Sequence, residues 1–223
     1  MELIWRRFTM CGRYTLAVEL DELAERFGCP KVELVFKPRF NVAPADTMPV
    51  ITGSDGNRSL KMMRWGLVPF WAEDRSIGYR MINARVETAA QKPAFREAYR
   101  QRRCLVPATG FYEWLQAGKV KHPYYIRVPD RKIFAFAGLW EEWGATEPEK
   151  LWSFTILTTE PAAAIAHLHD RMPLILPRNQ EALWLSGEKP PLPEQNLVFY
   201  EVPTLVNRPA NDLPACIMPV EQG

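Results

Sequence analysis

Apolar residues recur along this chain in short runs broken by proline and glycine, which predicts many strands and few helices. A strand opens at Cys11–Thr15. Leu20, Leu23, Ala24 and Phe27 then follow the i, i+3, i+4, i+7 rule and Gly28 stops the pattern, so a short amphipathic helix covers the core. Phe40-Asn41-Val42-Ala43-Pro44 reads as extended. Pro49–Thr52 and Leu60–Trp65 form a hairpin about the turn Ser54-Asp55-Gly56-Asn57. Ile82-Asn83-Ala84-Arg85 alternates like a strand and leads into a helix around Pro93–Arg103, whose late arginines suit a helix C-terminus. The second half predicts strands at Cys104–Leu115, Tyr124–Val128, Ile133–Trp140, Phe154–Thr159 and Leu197–Val202. It also predicts helices near Ala162–His167 and Asn179–Leu185. Strands and helices alternate too irregularly for doubly wound βαβ units. The fold expected is α+β, a single compact domain with a mainly antiparallel, partly barrel-like sheet and peripheral helices.

Length agrees with one domain: 223 residues, 47% of them apolar, can bury a full core. No apolar run approaches the roughly 18–20 residues of a membrane span, and Met1 to Thr9 is too short for a secretory signal. A cytoplasmic protein is expected. The four cysteines, Cys11, Cys29, Cys104 and Cys216, contain no C-x-x-C pair, which argues against a disulfide framework and a structural zinc site.

Charge changes the picture only when divided along the chain. Up to Arg103 there are 18 basic against 12 acidic residues, and beyond it 10 against 14. Arginine supplies most of the basic half, and its planar fork suits phosphate. The asymmetry hints at a face for a polyanion, although a solvated basic surface accounts for it as well.

Candidate chemistry begins at Met10-Cys11-Gly12-Arg13-Tyr14, because removal of a methionine before a small residue would leave Cys11 first. An α-amine titrates near pH ~8, far below a lysine side chain, so a useful fraction is neutral and nucleophilic at pH 7. Such an amine can condense with an aldehyde, and the neighbouring thiol can close a five-membered thiazolidine. The bland alternative is an ordinary buried cysteine. Trp65 to Ala72 holds large aromatics in an irregular segment, as core plugs or as a stacking surface for bases. Asn83 and Arg85 share one strand face. Glu113, among Phe111, Tyr112 and Trp114, should be desolvated and its pKa raised, as a proton donor near neutrality requires; an ion-paired strand glutamate is the alternative. His169 sits in a polar knot, His167-Leu168-His169-Asp170-Arg171, that lacks an obvious third metal ligand. No metal and no cofactor are expected.

The segments MCGRY, RWGLVPFWA, INAR-x-ET, RRCLVPATGFYEW, FAGLWE, FTILTTE and HDRMP, in this order from Met10 to about Pro209, resemble the SRAP family. These are SOS-response-associated peptidase-like proteins that process abasic sites in DNA. The resemblance implies a DNA-damage protein that binds single-stranded DNA and crosslinks itself to the ring-opened aldehyde of an abasic site. By matching motif, Cys11 is the nucleophile, Asn83 orients the reacting groups, Glu113 shuttles protons and His169 contacts the opened sugar. Arg13, Arg85 and Arg171 would hold phosphates, Trp71, Trp114 and Pro44 would stack or wedge, and Thr158 would also face the DNA. The partner expected is single-stranded DNA containing abasic sites, met by a monomer in the cytoplasm and on the nucleoid.

Residues 1–9 depart from the family pattern as an extension before the domain at 10–223. Either translation begins at Met10 or cleavage exposes Cys11. Two other classes stay open: a cysteine hydrolase using Cys11 and His169, and a non-catalytic single-strand binder.

Overall fold

The computed structural model describes residues 11–31, 33–54, 56–144, 149–189 and 192–220. The extension 1–9, Met10 and the turn residue Asp55 lie outside the described residues. The first half runs β1 (Tyr14–Leu16), α1 (Leu20–Phe27), β2 (Arg39–Val42), β3 (Thr47–Thr52), β4 (Ser59–Trp65), β5 (Asn83–Arg85), α2 (Val86–Ala89) and α3 (Arg96–Gln101). The second half runs β6 (Arg103–Ala108), β7 (Gly110–Ala117), β8 (Val120–Arg127), β9 (Phe134–Trp143), β10 (Leu151–Thr159), β11 (Met172–Pro173), β12 (Ile175–Leu176), α4 (Glu181–Leu185) and β13 (Val198–Glu201).

Among the described residues the strands form two sheets. One is ordered β13-β8-β7-β1-β2 and is antiparallel throughout. In the other, β10-β4-β3-β6-β9 closes on itself because β9 also pairs with β10, which gives a five-stranded barrel. The barrel departs from antiparallel pairing where β10 runs parallel to β4 and to β5. Closure leaves those strands without an unpaired edge.

Helix α1 forms where the periodicity placed it, with Leu23, Ala24 and Phe27 buried. Glu19 and Glu22 exchange the hydrogen bonds of a capping box, and Gly28 takes the left-handed conformation (φ 66°) that ends the helix. The hairpin β3–β4 also forms, its turn closed by Asn57 N–H to Ser54 O at 3.0 Å.

Four sequence expectations are corrected. Cys11 precedes β1 rather than lying in it. Cys104–Leu115 is two strands in different sheets: β6 belongs to the barrel and β7 crosses to the second sheet after Thr109. Continuous apolar character hid the corner, which needs Gly110 because a Cβ there would lie 2.2 Å from the Tyr125 ring. Ala162–His167 is a single 3-10 turn, Ala163–Ile165, too short to continue as a helix before the chain turns toward β11. The helix expected over Pro93–Arg103 is confined to α3, and a 3-10 turn at Arg178–Gln180 leads into α4.

The core fills the barrel with aromatic rings in mutual contact. Trp65 stacks on Phe154 at 6.4 Å and receives the edge of Tyr14 at 5.2 Å, while Phe136 meets both Tyr14 and Phe111. Tyr14 comes from β1 and Phe111 from β7, so the second sheet is locked to the barrel by rings. The corner, the barrel rim and the start of β1 therefore meet in one place.

Candidate active site

Tyr14 pairs with Phe111 and Thr15 with Gly110, so continuing that antiparallel register sets Gly12 opposite Glu113. Cys11 therefore enters beside β7. Its thiol lies 3.8 Å from Arg13 O, which also accepts Tyr112 N–H at 3.1 Å. Its own carbonyl accepts Asn83 Nδ2 at 2.9 Å, and Asn83 is held at the barrel rim by parallel pairing of β5 with β10. One side chain thus fixes the backbone of the candidate nucleophile to the opposite sheet.

Burial sets the electrostatics. Cys11 is 1% exposed and Glu113 2% exposed, and Glu113 Oε1 has no hydrogen-bond partner among the described residues. Desolvation pushes the Glu113 carboxyl well above the usual range, and the nearby negative charge of Asp170 adds to the rise. Desolvation likewise pushes the Cys11 thiol up, with Glu113 as the second cause. Both shifts favour the protonated forms, the reverse of a thiolate stabilised by a cation.

In front of Glu113 lies a cleft of about 880 Å³, a volume within the range of small-molecule sites. Its walls include Gly12, Arg13, Pro44, Glu113, Trp114, His169 and Asn207. Arg171 N–H lies 3.0 Å from His169 Nδ1, and the same ring nitrogen lies 3.2 Å from Arg171 O and 3.0 Å from Asp170 Oδ1. Pro44 is followed by Ala45 in the left-handed region at φ 76°, a strained turn held by Ala45 N–H to Trp65 O.

Of the residues singled out from sequence, Cys11, Arg13, Pro44, Asn83, Glu113, Trp114 and His169 converge on this cleft or its backing. Arg13 is half-buried and anchored, donating to Asn41 Oδ1 at 2.7 Å and Val206 O at 2.9 Å. Trp114 Nε1 donates to Asn207 Oδ1 at 2.7 Å. Trp71 is 50% exposed outside the cleft walls, whereas Trp65 is fully buried, so the aromatic segment holds both a core plug and a surface ring. Arg85 is exposed on the same strand face as buried Asn83. Thr158 is buried, and its carbonyl accepts Arg171 Nη2 at 2.6 Å. Arg171 itself is buried and forks onto Glu87 with two 2.9 Å bonds, which makes it a brace between α2 and β10 rather than an open cation.

Sequence reasoning missed the strap that closes one side of the cleft. Asn41 donates to the carbonyls of Val206, Arg208 and Asn211, and Asp212 accepts the N–H groups of Phe40 and Asn41 while pairing with Arg39. These bonds tie residues 206–212 to β2 and place Asn207 over Trp114. Asn41 inside an apolar strand run was the available signal, since a buried amide needs partners. Among the described residues no three His, Cys, Asp or Glu side chains converge as metal ligands, and no helix is long and apolar enough to cross a membrane.

Residues 10–209 match the family model described as SOS response associated peptidase (SRAP). The abasic site processing protein YoqW of Bacillus subtilis is 40% identical over 221 residues, covering 93% of this chain and 99% of that protein. The abasic site processing protein HMCES of Gallus gallus is 31% identical, covering 84% of this chain and 68% of its own. A crystal structure of a protein from Bacteroides thetaiotaomicron superposes with a TM-score of 0.84 at 27% identity, covering 95% of this chain and all of that one.

Proposed function

Because this chain belongs to the SOS response associated peptidase family, we propose that it processes abasic sites in single-stranded DNA by crosslinking itself to them through an amino-terminal Cys11. The observation that carries this reading is the buried carboxyl of Glu113, whose Oε1 has no hydrogen-bond partner among the described residues, near the Cys11 thiol, with Asn83 fixing the Cys11 carbonyl. The relatives' printed names supply the substrate class.

The chemistry runs as follows once the α-amine of Cys11 is exposed. The amine attacks C1′ of the ring-opened aldehyde and gives a carbinolamine. The protonated Glu113 donates to the hydroxyl, which leaves as water, and an iminium forms beside a now anionic Glu113. The thiol then adds to the same carbon while its proton passes to Glu113, so the thiazolidine is neutral and the acid is regenerated. The raised carboxyl suits the first transfer and the raised thiol suits the second, because a group that holds its proton until the carbon is electrophilic avoids a buried thiolate. His169 faces the opened sugar, while Arg13 and exposed Arg85 contribute sequence-independent affinity. Trp71, Trp114 and Pro44 stack on or wedge between flanking nucleotides, and an abasic position has no base to unstack. Thr158 and Arg171 support the DNA-facing rim from beneath.

With residues 1–9 attached, the Cys11 nitrogen is an amide whose lone pair is delocalised, so it does not condense with an aldehyde. The competent species therefore begins at Cys11. The test is incubation of protein beginning at Cys11 with an abasic single-stranded oligonucleotide, read on a denaturing gel. A stable adduct is expected, lost in Cys11→Ala while intact strands still bind. Crosslinking by Cys11→Ala at the wild-type rate would overturn the reading.

A further inference from the structure

Asn207 stands on the strap, in the wall of the cleft, exposed yet held in place. Its backbone is fixed on both sides in sequence: Arg13 and Asn41 donate to Val206 O at 2.9 and 3.1 Å, and Asn41 donates to Arg208 O at 3.0 Å. Arg13 Nη2 also donates to Asn207 O at 3.5 Å. The side chain is fixed in turn by Trp114 Nε1, which donates to its Oδ1 at 2.7 Å. An exposed amide ordinarily samples several rotamers, whereas this one is committed to a single orientation.

Chemistry decides which end of the amide is spent. An indole nitrogen only donates, so Asn207 must offer it the carbonyl oxygen, and the NH2 group keeps both of its donors. Asn207 Nδ2 makes no hydrogen bond among the described residues. The bond meets the indole at its N–H edge, so it does not cover the face on which a base stacks. A structural reading makes Asn207 a latch for the strap. That latch is redundant, since Arg13, Asn41 and Asp212 already tie residues 206–212 down, and it accounts for the oxygen alone.

Building on the function proposed above, in which a nucleotide flanking the abasic site stacks on Trp114, we propose that Asn207 is a specificity residue whose amide NH2 donates to a carbonyl oxygen of that base. Thymine and guanine carry a keto oxygen, O4 or O6, where cytosine and adenine carry an amino group. A pair of N–H donors therefore favours thymine over cytosine and guanine over adenine, because an amino group set against it finds no acceptor. The protein then engages abasic sites beside keto bases more tightly than those beside amino bases.

The test is equilibrium binding of the full chain to single-stranded oligonucleotides that carry a tetrahydrofuran abasic analogue, with thymine, cytosine, guanine or adenine placed beside it on one side at a time. Fluorescence anisotropy reads these affinities without any amine or thiol chemistry. On one side of the lesion, wild type should prefer thymine over cytosine and guanine over adenine by about threefold to tenfold, the worth of one hydrogen bond. Asn207→Asp keeps the oxygen that Trp114 needs and exchanges both donors for a second acceptor, so the order should reverse. Repulsion between that carboxylate and the DNA phosphates weakens all four strands alike and cancels in each ratio. Trp114→Phe keeps a stacking ring but frees the amide, so the preference should disappear. Equal affinities for the four strands in wild type, or the same order in wild type and Asn207→Asp, overturns the assignment. A denaturing gel of protein beginning at Cys11 with a natural abasic strand separates the two proposals. Adducts without a base preference count against Asn207 alone, and a reversible preference without adducts counts against the crosslinking and not against Asn207.

Discussion

Glu113 and Glu181 are equally buried, each 2% exposed, yet they are wired in opposite ways. Glu181 faces a guanidinium that takes both of its oxygens, while Glu113 faces a thiol, a second carboxylate and open cleft. A buried carboxylate answered by a cation holds structure together. One left to a like charge is pushed toward its neutral form, at a cost in stability.

Exchanging each carboxyl for its amide should break the symmetry of burial. The largest effect is expected at Glu113→Gln, which should slow adduct formation on the order of 10²-fold with little change in affinity for intact strands. Single-turnover kinetics and equilibrium binding measure the two separately. A loss of affinity equal to the loss of rate would contradict the assignment.

Stability should move the other way at the same position. The folded state keeps the Glu113 proton at pH values where the unfolded chain, near its ordinary 4.5, has released it. The folded state then binds more protons, so stability falls as pH rises above that value toward the raised folded pKa. Glu113→Gln removes this dependence and should raise Tm at neutral pH by a few degrees, about 1 kcal/mol, with the gain growing from pH ~5 upward. Thermal unfolding across pH checks it.

Glu181→Gln should leave the adduct rate unchanged and lower stability by about 2 kcal/mol. That is less than a fully buried broken pair would cost, because the Arg26 side chain is 12% exposed and can be hydrated. The smallest effect is expected from Arg85→Ala, which should weaken binding of intact strands about threefold to tenfold and flatten the salt dependence by about one unit. An unchanged slope would remove Arg85 from the phosphate contacts.

The contrast between the two glutamates also marks how far sequence could go. Glu113 was legible because its aromatic neighbours announce desolvation, and α1 and the β3–β4 hairpin because periodicity and turn chemistry are local. The corner at Thr109–Gly110 was not, since β6 and β7 are both apolar and only the Tyr125 ring, distant in sequence, reveals why glycine is required. Arg171 read as a phosphate contact because charge is visible in sequence and its partner is not: Glu87 lies on α2, and the fork between them exists only once β5 and β10 pair. Asn41 and Asn207 went unnoticed for the same reason. Their partners lie far away in sequence, Asn41 on Val206 and Asn207 on Trp114.

The central claim is that the amine of Cys11, and not its thiol alone, captures the aldehyde. Intact-mass spectrometry before and after incubation with abasic single-stranded DNA tests it most directly. The predicted result is an adduct equal to the protein beginning at Cys11 plus the oligonucleotide less one water, with protein retaining residues 1–9 left unmodified although it binds DNA. A stable adduct on protein whose measured amino terminus is still Met1 would contradict the thiazolidine mechanism.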